Sequence, residues 1–196
     1  LVTGTNILSF PISSDTIFFL FEQAKKFDVK IIIDLNWREV FWDFSSFSLG
    51  ISKTARVNLI KKFLNHAHIL KLAKEEAHLF FEHANPFLIS QKLLKNPDVI
   101  ITDGENPINW YINGLQGTTE TFTTQKIVDT TGGGDAFLAG LISKLISSNY
   151  PSNKLEIEDH IRFASICGFL TCLGEGAIEQ QPNYDQVNKF LGSLIL

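Results

Sequence analysis

Three consecutive glycines, Gly132, Gly133 and Gly134, stand between the polar run Asp129-Thr130-Thr131 and the carboxylate of Asp135, and an apolar stretch opens at Ala136. Glycine removes the Cβ and admits positive φ, so an anion can come within reach of consecutive backbone N–H groups. From Asp135 to Ser147 the residues favour a helix that is apolar almost all round, which predicts burial. Its first turn offers unpaired N–H donors and the positive end of a helix dipole, where phosphates settle. A carboxylate at that point repels a bound phosphate. It has a reason to be there if it receives a proton from an attacking hydroxyl during phosphoryl transfer. The simpler alternative is a plain strand-to-helix turn with Asp135 as its N-cap.

The string from Asp129 to Phe137, followed by Ala139-Gly140, resembles the second signature of the PfkB (ribokinase-like) carbohydrate kinases, usually Asp-Thr-Thr-Gly-Ala-Gly-Asp-Ala-Phe. Gly133 in place of Ala is the one departure. The resemblance implies that Asp135 is the catalytic base and that Gly132, Gly133 and Gly134 form the anion hole. It also implies a monovalent cation, potassium, held by Asp129 and the backbone of Thr131.

Other segments extend the likeness. Ile31 to Leu35 reads as a short buried strand, and polar groups at the carboxyl end of such a strand are where open α/β sheets place ligands. Asp34, Asn36 and Arg38 with Trp42 resemble the Asp-x-Asn-x-Arg…Trp segment of fructokinase-like members. That implies Asp34 and Asn36 on the substrate side and Arg38 near the phosphates. Ala73-Lys74-Glu75-Glu76 resembles the family's Asn-x-x-Glu, with Ala73 replacing the Asn, and implies that Glu76 helps position magnesium and phosphate through water. Thr102-x-Gly104 resembles the loop bordering the nucleotide, although Asn106-Pro107 stands where a second glycine is usual. Phe163-Ala164-Ser165, Gly176-Ala177 and Pro182 resemble the closing segment, with Ser165 at the place of an Asn that meets adenosine. The cofactors so implied are ATP, magnesium and potassium, and the substrate is a sugar, most simply fructose or a related ketose or pentose.

Composition bounds the alternatives. With 196 residues, 44% hydrophobic and 19% charged, the chain expects one well-cored domain over 1–196, and disordered or fibrous classes are excluded. A net charge of −4 argues against nucleic acid as partner. No apolar run reaches membrane-spanning length. The two cysteines, Cys167 and Cys172, form no Cys-x-x-Cys, which leads to the expectation of a reducing, cytoplasmic setting. There is no Met, Leu1 included, so Leu1 reads as a cut inside a longer protein. In the family the segment before it carries most sugar contacts and a small β-lid, through which a homodimer would form. The chain is therefore expected to be an N-terminally truncated body without the lid.

The elements that must position these residues alternate. Leu1–Leu8 is an apolar run; helices are expected over 15–27, 52–65, 74–83, 86–95, 160–173 and 184–194; strands over 31–35, 69–72, 99–102 and 108–112. Asn113-Gly114 marks a turn, and Thr118 to Val128 alternates polar and apolar residues as an antiparallel edge strand would. Glu75, His78 and Glu82 share a helix face near His66 and His68, but lack a metal-binding pattern and read as an exposed face. There is no Gly-x-x-x-x-Gly-Lys-Ser/Thr, so a P-loop is excluded. The pattern predicts an α/β fold, a mostly parallel sheet flanked by helices on both faces, ribokinase-like by resemblance. An idle regulatory relative, or a nucleotide-binding module of unrelated function, remains open alongside the sugar kinase.

Overall fold

The computed structural model describes residues 1–41, 53–124, 126–148 and 150–193. They group into two compact units: Leu1–Asp103 with Asn109–Ile112, and Gly104–Ile108 with Asn113–Leu196. Strands β1 (Val2–Gly4), β2 (Ile32–Asp34), β3 (Ile69–Ala73), β4 (Asp98–Asp103), β5 (Asn106–Ile112) and β6 (Leu115–Thr119) follow one another in a six-stranded mixed sheet.

In the first unit β1 to β4 pair in parallel, with Val2 opposite Ile32, Ile32 opposite Ile69 and Ile69 opposite Asp98. A parallel sheet covered on both faces needs near-continuous apolar strands, and Ile31, Ile33, Leu70, Leu72, Val99 and Ile101 are all buried in one core. The intervening helices are α1 (Pro11–Lys26), α2 (Lys53–Leu64), α3 (Lys74–Phe81) and α4 (Pro86–Gln91). Ile17, Phe21 and Ala24 turn one face of α1 inward, where the Phe21 ring lies 5.3 Å from that of Phe63. Only Gly104-Glu105 separates β4 from β5, and Asn113-Gly114, at φ 49° and 77°, turns β5 into β6. Two positive φ values in succession are what a tight antiparallel hairpin requires.

The second unit is built on α5 (Gly133–Ser147), α6 (Lys154–Thr171) and α7 (Tyr184–Ser193). Helices α5 and α6 approach closely because glycines face the partner helix. A Cβ on Gly140 would stand 2.6 Å from Cys167 Sγ, and one on Gly168 would stand 2.8 Å from the carbonyl oxygen of Gly133. Val187 of α7 completes a core with Ala136, Phe163 and Ile166.

Several elements differ from the sequence reading. The apolar run Leu1–Leu8 is a three-residue strand followed by a 3₁₀ turn over Thr5–Ser9, and α1 begins at Pro11, a residue suited to a first helical position. Helix α5 starts at Gly133 rather than Asp135. Helix α6 starts at Lys154 rather than His160, because the Asn153 side chain caps it by accepting from Glu156 N at 3.0 Å. Helices α3 and α4 are shorter than expected, α3 ending where Glu82 turns left-handed at φ 69°. The strand expected over Thr118–Val128 stops at Thr119. Its alternation has another cause: Phe122 is drawn in by the rings of Phe190 and Phe169, at 5.5 and 6.1 Å, not by strand pairing. Trp42 and Ser52 lie outside the described residues, as does Leu194.

The close approach of α5 and α6 can be tested at Gly168. Overpacking against fixed backbone costs about 1–3 kcal/mol, which outweighs the gain of at most about 1 kcal/mol in helix propensity from Gly→Ala. Gly168→Ala is expected to lower the urea-unfolding midpoint, whereas Gly192→Ala, with open space at its Cβ, leaves it unchanged or raises it. Equal behaviour of the two variants contradicts glycine-mediated packing.

Candidate active site

In the second unit the glycine turn is shaped by backbone first. Gly132 sits at φ 80° and is the N-cap of α5, and a Cβ there would meet Ala177 Cα at 2.8 Å. Both the dihedral and the contact demand glycine. Gly133 N donates to Thr130 O at 3.2 Å and Ala136 N donates to Gly132 O at 2.8 Å, closing the turn onto the helix. The amides of Gly132, Gly134 and Asp135 meet no acceptor among the described residues. Three of the four amides expected to face an anion are therefore available, while that of Gly133 is turned to Thr130. The Asp135 carboxylate is exposed in the first turn beside them.

Asp129 is a brace for this turn. Its Oδ1 accepts from Thr131 N at 2.9 Å and from Thr131 Oγ1 at 2.7 Å, and its Oδ2 accepts from Gly176 N at 3.1 Å. Hydrogen bonds from the Thr131 hydroxyl and amide, then from Gly176, hold its carboxyl below the usual value. Val128 N and Asp129 N both donate to Cys172 O, at 2.9 and 3.4 Å, so the chain entering the turn is tied to the end of α6. The Thr131 carbonyl accepts no hydrogen bond among the described residues, so it and the remaining lone pairs of Asp129 keep capacity to accept. Gly104, at φ 56°, stands in the β4–β5 turn with open space around it. Ser165 is buried within α6.

The first unit gathers a different set. Asp34 ends β2, and Lys71 stands opposite it in register on β3, with Nζ 2.8 Å from Asp34 Oδ2 and both side chains almost fully buried. Glu76, in the first turn of α3, accepts from Ala73 N at 2.7 Å and from Trp37 N at 2.5 Å. One carboxylate thereby joins the helix start to the segment that leaves β2. Asn36 is left-handed at φ 42°, and the Trp37 ring packs edge-on to Phe80 at 5.3 Å. Burial pushes the Glu76 carboxyl up, the two backbone donors oppose that, nearby Asp34 adds to the rise and Lys71 reduces it. Arg38 is exposed, and Thr102 sits in β4 opposite Ala73. Among the described residues no three His, Cys, Asp or Glu side chains could hold a metal ion, so Glu75, His78 and Glu82 make no such site. No helix among them is long and apolar enough to cross a membrane.

Sequence reasoning missed Lys71, the Gly176 amide, the Ala177 wedge and the Cys172 carbonyl. Only Lys71 left a signal, as a lone charge inside the apolar strand Ile69-Leu70-Lys71-Leu72.

A glycine turn opening a helix with unfilled amides and a carboxylate at its mouth, in a chain of alternating strands and helices, is an arrangement by which α/β proteins receive anions. The chain belongs to the pfkB family of carbohydrate kinases, whose sequence profile matches residues 1–183. It is 29% identical over 149 residues to probable fructokinase-7 of Arabidopsis thaliana, covering 72% of this chain and 43% of that protein. Its fold is similar to that of a fructokinase with bound ATP from Xylella fastidiosa, with a TM-score of 0.85 at 20% identity, over 100% of this chain and 62% of that one. A Vibrio cholerae O395 fructokinase in a fructose-, ADP- and calcium-bound form gives a TM-score of 0.81 at 24% identity, over 97% of this chain and 60% of that one. The chain thus spans less than two thirds of each of these relatives.

The Glu76 environment has a pH signature. A carboxyl raised in the folded state binds its proton more tightly there than in the unfolded chain. Its contribution to stability is complete below the unfolded pKa and is lost as pH rises through the folded pKa. Between about pH 7 and about pH 5 the wild type is therefore expected to gain stability relative to Glu76→Gln, read from urea-unfolding midpoints. A gap that stays constant, or that closes the other way, contradicts the burial of this carboxylate.

Proposed function

We propose that the chain is the phosphate-transfer body of an ATP-dependent sugar kinase, with fructose or a related ketose or pentose as acceptor. The observation that carries this reading is the pairing of three unfilled amides at the mouth of α5 with the exposed Asp135 carboxylate beside them. Bound ATP supplies the γ-phosphoryl group, with magnesium neutralising its phosphates.

Asp135 accepts the proton of the attacking sugar hydroxyl. The amides of Gly132, Gly134 and Asp135 hold the charge on the transferred group, and Asp129 keeps them aimed by fixing Thr131 and Gly176. Asp129 and the Thr131 carbonyl are the ligands for a monovalent cation. Arg38 is a phosphate contact, Thr102, Gly104 and Ser165 border the nucleotide, and Asn36 and Asp34 belong to the substrate side. The structure qualifies two of these roles. Asp34 reaches a substrate only through an oxygen not engaged by Lys71, and Glu76 acts on water or metal only with lone pairs left by two backbone donors. The two free thiols suit a cytoplasmic protein.

Phosphate transfer from ATP, with magnesium and potassium, to fructose, ribose, adenosine and 2-keto-3-deoxygluconate tests the reading. Asp135→Asn is expected to cut turnover by about 10²–10⁴ while ATP affinity is largely kept. If affinity falls as far as rate, the base assignment is wrong. If ATP binds and no acceptor is phosphorylated, the regulatory reading replaces the kinase.

A further inference from the structure

The amino-terminal end of the parallel strands, away from Asp34, carries a side-chain arrangement that the kinase reading does not use. His68 immediately precedes β3, and its Nδ1 accepts from Ile31 N at 3.0 Å, just ahead of β2. A ring nitrogen that accepts carries no proton, so the neutral imidazole bears its hydrogen on Nε2. That Nε2 faces Lys95 Nζ at 3.3 Å. An ammonium has three donors and no acceptor, so two donors confront one another and neither can receive the other.

Other lysines of the same unit are placed differently. Lys71 has Asp34 at 2.8 Å, Lys74 has Asp103 at 2.7 Å, and Lys92 donates to Phe81 O at 3.1 Å. Lys95 points instead at a donor, in a field raised further by Lys25 and Lys30 and opposed by Glu22. His68 feels Lys95 and Lys30 against Asp28, and neighbouring His66 feels Lys95, Lys62 and Lys25 against Glu22. Burial and these cations hold both imidazoles below their usual pKa, which favours a neutral His68 ring with Nδ1 bare to accept from Ile31 N. A concentration of positive charge on a chain whose net charge is −4 is a local feature, not a general one.

From these contacts we infer that His68 Nε2–H and Lys95 Nζ form a binding site for a small phosphate-bearing anion, an oxygen of which is received between them, with Lys25 and Lys30 supplying long-range attraction. A phosphate suits the site because its oxygens accept from both donors and its charge answers the cluster. Ile31, just ahead of β2, and Asp34 at its end are three residues apart, about 10 Å at the rise of an extended chain, so the site is separate from the carboxyl end of β2.

Inorganic phosphate is the probe. The ring nitrogens of His68 are followed by NMR in low-chloride buffer at neutral pH, together with the Gly134 amide as a control for phosphate taken up at the glycine turn. Before phosphate is added, Nδ1 is expected to be unprotonated and Nε2 protonated. Added phosphate is expected to shift Nε2 along a saturating curve. Lys95→Gln, an exposed substitution, should weaken that binding about tenfold, and Lys25→Gln less, with the Gly134 response unchanged in both. A protonated Nδ1, a shift that does not saturate, a shift equal in wild type and Lys95→Gln, or one reproduced by sodium chloride at equal ionic strength overturns the site.

Discussion

The left-handed backbone at Gly132 is the constraint on which the functional end of the second unit depends. Its φ of 80° bends the chain so that α5 begins one residue later with the amides of Gly134 and Asp135 unengaged, and Ala177 occupies the space any side chain would need. The turn is held from both sides. Asp129 gathers Thr131 and Gly176, and Cys172 O receives the amides of Val128 and Asp129. A cradle made of backbone N–H groups works only if those groups are aimed before the ligand arrives, since reorganising them on binding would consume the interaction. Close packing of α5 on α6 through Gly140 and Gly168 supplies that rigidity, because neither helix can slide without Cys167 or Gly133 moving.

The first unit solves a different problem. Its parallel strands bury two opposite charges side by side, Asp34 and Lys71, in surroundings where either alone would be costly. Glu76 adds a third charge nearby and ties the segment after β2 to the start of α3 through two backbone donors. The positive φ of Asn36 persists because the next residue is held in place on both its amide and its ring. Charged groups here fix backbone geometry at the carboxyl ends of strands, the region where open α/β sheets bind ligands.

Much of this was legible in the sequence. The β-branched runs at Ile31 and Val99 marked strands because parallel strands are buried on both faces, and the glycine triplet marked the turn because glycine adopts a left-handed dihedral at no steric cost. The strand expected beyond Thr119 was misread because alternation records burial and not its source. Phe122 is half-buried against helix side chains. Helix starts were misplaced where a cap decided them, as Asn153 does for α6. What could not be read were the long-range partners. Nothing local in Gly176 or Cys172 announces that its backbone meets Asp129, forty residues and more away. The division of the glycine amides, with Gly133 turned to Thr130, likewise depends on the closed turn and not on residue type.

Backbone amide NMR during titration with ATP and magnesium reads whether the amides of Gly132, Gly134 and Asp135 receive an anion. Saturating shifts are expected, largest at Gly132, Gly134 and Asp135, with Gly133 moving less because its N–H already donates to Thr130 O. Shifts that bypass these residues, or that move Gly133 as far as its neighbours, would contradict it.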